Sequence, residues 1–140
     1  MEFPKSTESI PIVIDENLKK RITEWEKKGI FYGAFPVVGD SMTCAESEKS
    51  IPNGSNVLAY DLQIDFKSIS NKWFDIPINK PLIIAGKTSL GKDFCLCKTI
   101  NFLDLVNNKV SLRSYNPKYY DQIIPITFIT SLLKIELVIK

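Results

Sequence analysis

The chain has 140 residues, 44% of them hydrophobic and 24% charged, a composition typical of one globular domain with a single core. Its formal net charge of +2 is too small to predict nucleic-acid binding from electrostatics alone. It contains no histidine, which excludes Ser-His-Asp and Cys-His catalysis. Its three cysteines, an odd number, do not indicate a disulfide framework, and a reducing cytoplasm is the expected location.

Residues 1–34 are predicted to form an N-terminal arm and one amphipathic helix. Asp15 is a suitable N-cap and Gly29 a suitable stop, so the helix is predicted over Asp15 to Lys28. Its apolar face would be formed by Leu18, Ile22 and Trp25. We expect this face to pack on the domain or on a dimer partner; an alternative is that the lysines of the other faces contact nucleic acid.

Residues 35–140 are predicted to form a mainly β domain of short twisted sheets, because short apolar runs alternate with turn residues. The predicted strands are Asn56–Tyr60, Leu82–Ala85, Asp93–Ile100, Val110–Arg113 and further strands within Ile123–Ile139. Residues 43–50 are polar and predict a surface loop. Residues 61–80 are mixed in character, but Trp73 and Phe74 must be buried, so this segment is predicted to be a packed insertion.

Ser41 is the candidate nucleophile. It follows the apolar run 35–38 and lies in Gly39-Asp40-Ser41-Met42, between turn-forming residues and a large apolar side chain. A serine hydroxyl is a weak nucleophile and needs a neighbouring base. Because the chain has no histidine, a lysine is the remaining base for a Ser-Lys dyad. Asp40 is predicted to cap the turn rather than to take part in chemistry.

Lys98 is the candidate base. It lies in the predicted strand Asp93–Ile100, where alternation places it on a face with apolar residues. Such neighbours disfavour the charged ammonium and lower the pKa of the lysine toward the range useful for proton transfer. Cys95 and Cys97 fall on the opposite face and are predicted to pack there.

Four landmarks, in this order, resemble the motifs of the LexA-like peptidase family. They are Gly39-Asp40-Ser41-Met42, Ile51-Pro52-Asn53-Gly54-Ser55-Asn56-Val57, the strand lysine Lys98, and Leu112-Arg113-Ser114-Tyr115-Asn116-Pro117-Lys118-Tyr119. The family includes the C-terminal domains of LexA and of phage repressors, and the UmuD mutagenesis protein. The resemblance covers roughly residues 35 to 140.

The resemblance implies the fold of the LexA/UmuD catalytic domain and a serine endopeptidase activity. Ser41 would attack a peptide carbonyl while neutral Lys98 takes its proton. The backbone N–H groups of Ser41 and its neighbour Met42 would stabilise the oxyanion. The substrate would be held as an added β-strand. The residues assigned to substrate-strand binding are Ser114, Tyr115 and Asn116. No cofactor or metal is expected.

The resemblance also implies a homodimer through the C-terminal strands, with Ile129–Ile139 as an edge strand that the partner covers. It suggests a link to the DNA-damage (SOS) response, with a RecA filament or a DNA polymerase as the partner. Direct DNA binding is not expected, because the segment before Ser41 is too short for a helix-turn-helix domain. A membrane association is not expected either, because the apolar segment Ile123–Ile139 is interrupted by proline and charged residues.

Self-cleavage of the family's usual kind is not expected. Family members typically cut an Ala-Gly or Cys-Gly bond upstream of the serine, and neither dipeptide precedes Ser41. The only Ala-Gly bond, Ala85–Gly86, lies between Ser41 and Lys98. Two classes of function therefore stay open. One is a Ser-Lys peptidase acting on another chain, and the other is a non-catalytic or product-like dimeric module that binds a polymerase or a repressor.

Overall fold

A computed structural model describes residues 16–46, 49–64 and 76–139. These residues form one α-helix, α1 (Glu16–Lys28), and seven strands. The strands are β1 (Tyr32–Pro36), β2 (Asn56–Asp61), β3 (Pro81–Lys87), β4 (Asp93–Asp104), β5 (Lys109–Arg113), β6 (Gln122–Pro125) and β7 (Ile129–Ile139). A short 3-10 turn, Ile126–Phe128, leads from β6 into β7. The predicted fold class, mainly β with one N-terminal helix, is confirmed.

The seven strands join in one curled antiparallel sheet of order β1-β2-β7-β3-β4-β5-β6. The sequence predicted an edge strand at Ile129–Ile139, and this prediction was wrong: β7 lies inside the sheet, between β2 and β3. The physical reason is burial on both faces, since the adjacent side chains of Leu132 and Leu133 point to opposite faces and both are fully buried. Within β7, residues 129–134 lie beside β3, whereas the outer half, residues 135–139, pairs with β2 alone among the described strands.

Apolar side chains cover both faces of the sheet. The cluster that contacts the candidate serine turn is formed by Phe35, Val37, Met42, Ile51, Val57, Ala59, Ile83 and Leu133. A second cluster covers the opposite face at the β3–β5 end of the sheet, with Leu82, Ile84, Ile100, Leu112 and Leu132 among its members. The side chains of Ile83 and its neighbours alternate between the two clusters, as the period of two in a strand requires.

Helix α1 packs on the sheet of its own chain. Leu18 and Trp25 are buried against Leu58, and the Trp25 ring stacks on Tyr60 with ring centroids 4.7 Å apart. The predicted apolar face and the predicted end before Gly29 are confirmed. The proposed N-cap, Asp15, lies outside the described residues. The predicted domain division between residues 34 and 35 falls within β1 and stays a prediction.

Several element boundaries differ from the predicted ones. The hairpin of β3 and β4 turns at residues 88–92, so Gly86 belongs to β3 rather than to the turn. Strand β4 continues past Ile100 to Asp104, across a register shift that falls between Ile100 and Phe102. Trp73 and Phe74 lie outside the described residues. No helix in the part of the chain that the structure describes has the length and apolar character needed to cross a membrane.

Gly86 is required by close packing. A Cβ atom at this position would lie 2.7 Å from the Phe94 ring and would overlap the Phe128 backbone carbonyl. We expect Gly86→Ala to lower the free energy of unfolding by more than about 2 kcal/mol, because the backbone in the way cannot move aside without disturbing β7. Urea unfolding followed by circular dichroism measures this change.

Gly91→Ala is the matched control, because nothing lies within 4 Å of a Cβ built at that turn residue. Its positive φ of 76° gives it a strain cost of about 1 kcal/mol. A loss at Gly86 no larger than the loss at Gly91 would contradict the tight packing.

Candidate functional site

A turn of Gly39 to Met42 presents the candidate nucleophile. Gly39 has a φ of +92°, a conformation that favours glycine, and its N–H donates to the Asn53 side-chain oxygen at 2.9 Å. The Met42 side chain is fully buried, and the Met42 carbonyl accepts the Ile51 N–H at 2.9 Å. Ser41, between these anchors, is partly exposed. The segment around Asn53, predicted only as a turn, thus shapes the serine turn.

A second segment, residues 114–119 directly after β5, is bonded to the same turn. The Asn116 backbone N–H donates to the Ser41 carbonyl at 2.8 Å, and the Asn116 side-chain amide donates to the Asp40 carbonyl at 3.0 Å. Through these bonds the last of the four sequence motifs holds the first one in place. We refer to residues 114–119 as the clamp segment.

The Asp40 side chain also binds the clamp segment. Its carboxylate accepts a hydrogen bond from the Tyr119 hydroxyl and lies 3.4 Å from the Lys118 ammonium. The Tyr119 hydroxyl, followed by the Lys118 charge, lowers the pKa of Asp40, and the same hydrogen bond raises the pKa of Tyr119. The Asp40 side chain therefore tethers the serine turn to the clamp segment, and its predicted capping of the turn stays a prediction.

Lys98 lies on β4, opposite Leu82 of β3, and is partly buried. Its ammonium donates to the Ser114 hydroxyl at 2.8 Å and lies 5.7 Å from the centroid of the Tyr119 ring. Burial lowers the pKa of Lys98 from its ordinary value, as predicted from its apolar neighbours. No carboxylate of the described residues forms an ion pair with it.

Ser41 and Lys98 line the same pocket, which has a volume of about 560 Å³. Its other lining residues are mostly apolar, among them Phe35, Val37, Val38, Ile83 and Leu96. Within residues 16–46, 49–64 and 76–139, no hydrogen bond joins the Ser41 hydroxyl to Lys98. The structure therefore brings the two predicted catalytic residues to one pocket, while the Lys98 ammonium is bonded to Ser114.

The predicted oxyanion donors are available. Neither the Ser41 nor the Met42 backbone N–H donates to any acceptor in the described parts of the chain. Two adjacent N–H groups without an acceptor, beside a serine hydroxyl, suit a developing negative charge on a carbonyl oxygen.

The three residues predicted to bind a substrate strand have different surroundings. Ser114 is bonded to Lys98, and Asn116 is bonded to the serine turn. Tyr115 packs against the apolar cluster that contains Met42, with the Lys49 ammonium 4.6 Å from the centroid of its ring. Ser114 and Tyr115 also line a cleft of about 810 Å³ beside the clamp segment. Their binding of a substrate strand stays a prediction.

The two strand cysteines differ from each other. Cys97 packs against the core next to Lys98, as predicted, and burial raises the pKa of its thiol to about 12. Cys95 is exposed, so the predicted packing does not hold there. No group of three or more Cys, Asp or Glu side chains among the described residues could hold a metal ion.

Comparison of the chain with models of known protein families, with curated proteins and with solved structures gave no match.

The tether between Asp40 and Tyr119 gives a prediction about the serine turn. Removing the hydroxyl in Tyr119→Phe should raise the pKa of Asp40, because that hydroxyl stabilises the ionised carboxylate. It should also speed amide hydrogen exchange within Gly39 to Met42, because the turn loses one of its tethers. Carboxyl NMR titration and hydrogen exchange measure the two effects.

Tyr120→Phe is the matched control, since the neighbouring Tyr120 is 93% exposed and its hydroxyl bonds to no described residue. Equal effects of the two substitutions, or none from Tyr119→Phe, would contradict the tether.

Proposed function

We propose that the chain is a serine endopeptidase of the LexA/UmuD type, which hydrolyses peptide bonds with Ser41 as nucleophile and Lys98 as base. The observation that carries this proposal is the shared pocket, which Ser41 and Lys98 both line. Burial lowers the pKa of this lysine, and no described carboxylate forms an ion pair with it. The order of the four sequence motifs supports the same family.

In the proposed reaction, the Ser41 oxygen attacks the carbonyl carbon of the substrate while its proton passes to the Lys98 amine. The carbonyl oxygen becomes an oxyanion that accepts the N–H groups of Ser41 and Met42. The C–N bond then breaks, and the leaving amine takes the proton from Lys98. Water, with Lys98 again as base, hydrolyses the acyl group from Ser41.

The Lys98 amino group must come within reach of the Ser41 hydroxyl for the first step. Such hydrogen bonds are often long before a substrate binds and shorten in the complex. A bound peptide would exclude water from the apolar pocket. The charged form of Lys98 would then be less stable, so a larger fraction of the lysine would be the neutral amine that accepts the proton.

The expected substrate is another chain. The Ala85–Gly86 bond lies in β3, which is paired on both sides, and both residues are buried. This burial protects the bond from cleavage in the folded protein and supports action in trans. We propose the cytoplasm as the location.

Ser41→Ala and Lys98→Met should each abolish peptide cleavage, because neither half of a dyad works alone. The measurement is the appearance of new peptide termini, by mass spectrometry, when the purified protein is incubated with a proteome-derived peptide library. Lys98→Met should keep or raise the melting temperature, because it removes a partly buried charge.

Ser131→Ala and Lys87→Met are the matched controls, because these residues lie on β7 and β3 away from the pocket of Ser41 and Lys98. Both should retain cleavage. Cleavage by Ser41→Ala at the wild-type rate would contradict the proposal.

Activity should rise with pH and level off above the pKa of Lys98. The sign follows from the mechanism, since the neutral amine is the active form and burial favours that form. The midpoint should lie below 10.5, the ordinary value for lysine. The pH dependence of kcat/KM on a peptide found in the library measures it, and activity that falls over this range would contradict a lysine base.

A second candidate function is a dimeric interaction module that binds a DNA polymerase, a RecA filament or a repressor. It is favoured by an apolar surface on β4 and β6, where Phe102 is 60% exposed and Ile123 is 68% exposed. Both residues are aligned with Ser111 of β5, which places them on one face of the sheet. A chain without cleavage activity that still binds such a partner would support this function instead.

We also expect a homodimer, formed through the outer half of β7. Residues 135–139 pair with β2 on one side only among the described strands, so the other side can pair with the same segment of a second copy. Sedimentation equilibrium should show a dimer at micromolar concentration. Monomer alone at that concentration would contradict this expectation.

A further inference from the structure

Ser114 is the residue that contacts the candidate base. Its hydroxyl accepts a hydrogen bond from the Lys98 ammonium at 2.8 Å, and the residue is only 8% exposed. It directly follows β5, where Arg113 pairs with Thr99 of β4 and the Thr99 hydroxyl donates to the Arg113 carbonyl at 3.1 Å. The position of Ser114 is therefore fixed relative to the strand that carries Lys98.

The same segment is fixed to the nucleophile. Two residues after Ser114, the Asn116 backbone N–H is bonded to the Ser41 carbonyl. The clamp segment thus holds the serine turn at one point and the Lys98 side chain at another.

A lysine that acts as a base needs a hydrogen-bond partner that fixes its amino group, as the Ser114 hydroxyl does for Lys98. Its long side chain has many rotamers, and a lone pair on its nitrogen must face the serine hydroxyl when the proton moves. A hydroxyl that accepts one N–H restricts the amino group and leaves the lone pair free for a second partner.

We propose that Ser114 is a positioning residue, which holds the Lys98 amino group for proton transfer from Ser41. This inference rests on the proposed function. It gives Ser114 a role different from the binding of a substrate strand.

Other titratable groups near Lys98 belong to β4 and to the clamp segment. The Cys97 thiol neighbours it on its own strand, and the Tyr119 phenol faces it from the clamp segment. The Asp40 carboxylate accepts a hydrogen bond from the hydroxyl of the same Tyr119, which connects it indirectly to Lys98. The tests below therefore follow the Lys98 signal itself rather than activity alone.

The experiment compares Ser114→Ala, Ser114→Thr and Ser131→Ala with the wild type. Lysine labelled with ¹³C at Cε gives an NMR titration of the Lys98 amino group, assigned with the Lys98→Met variant. Loss of the acceptor in Ser114→Ala should lower the titration midpoint by about one pH unit, because the hydroxyl stabilises the ammonium. Ser114→Thr, which keeps a hydroxyl, and Ser131→Ala should leave the midpoint near that of the wild type.

Cleavage of the peptide library is measured on the same variants. Ser114→Ala should lower kcat by about 10-fold or more, because the base is less well oriented. It should also move the rise of activity to lower pH, because the Lys98 ammonium loses a stabilising acceptor. Ser114→Thr should restore most of the rate. Circular dichroism confirms that each variant is folded. If the alanine variant is not folded, Ser114→Cys, whose thiol is a weaker acceptor, takes its place with the same expected loss.

An unchanged Lys98 midpoint in Ser114→Ala would overturn the inference, as would a change in KM alone, which would indicate substrate binding. Cleavage that survives Ser41→Ala but not Ser114→Ala would also overturn it, by making Ser114 the nucleophile. A wild type that cleaves nothing would contradict the proposed function. In that case the NMR titration would still decide whether Ser114 holds Lys98.

Discussion

The hydrogen bond from the Asn116 backbone N–H to the Ser41 carbonyl joins two parts of the chain that lie far apart in sequence. A single bond of this kind contributes only about 1 kcal/mol to the free energy of unfolding. Its importance lies in geometry, because the clamp segment that provides it also carries Ser114, the partner of Lys98. The serine turn and the lysine strand therefore share one support.

That support depends on the sheet. Strand β5, from which the clamp segment leaves, pairs with β4 at the level of Thr99, one residue from Lys98. Strand β4 is paired in turn with β3, and β3 with the interior strand β7. Burial of side chains on both faces of β7 keeps this strand inside the sheet. Gly86 of β3 packs closely on the Phe128 carbonyl at the start of β7, so an added Cβ there would disturb the contact between these two strands.

The sequence predicted what depends on local patterns. Turn residues and alternating apolar residues located the strands. The alternation around Lys98 predicted apolar neighbours on its face of β4, and Phe94, Leu96 and Ile100 pack in one apolar cluster. The motif order predicted that Ser41 and Lys98 belong to one site, and both line one pocket. Catalysis by this pair remains a proposal.

What could not be predicted depends on pairing between distant segments. The apolar run of β7 fits an edge strand covered by a partner as well as a central strand, because it does not specify which neighbours flank it. The contact between Lys98 and Ser114 follows from the register of β4 and β5, and the tether of Asp40 follows from the path of the clamp segment. One signal was present in the sequence, since the short polar run after β5 carries Ser114, Asn116 and Tyr119 together.

The most direct test of the Ser41–Lys98 dyad is a crystal structure of the protein with a peptide boronic acid, which forms a covalent bond with an activated serine. The proposed mechanism predicts boron bonded to the Ser41 hydroxyl oxygen, with the Lys98 nitrogen within roughly 2.6–3.2 Å of that oxygen. A boronate bonded to Ser114, or a Lys98 nitrogen out of reach of a boronate-bound Ser41, would contradict it.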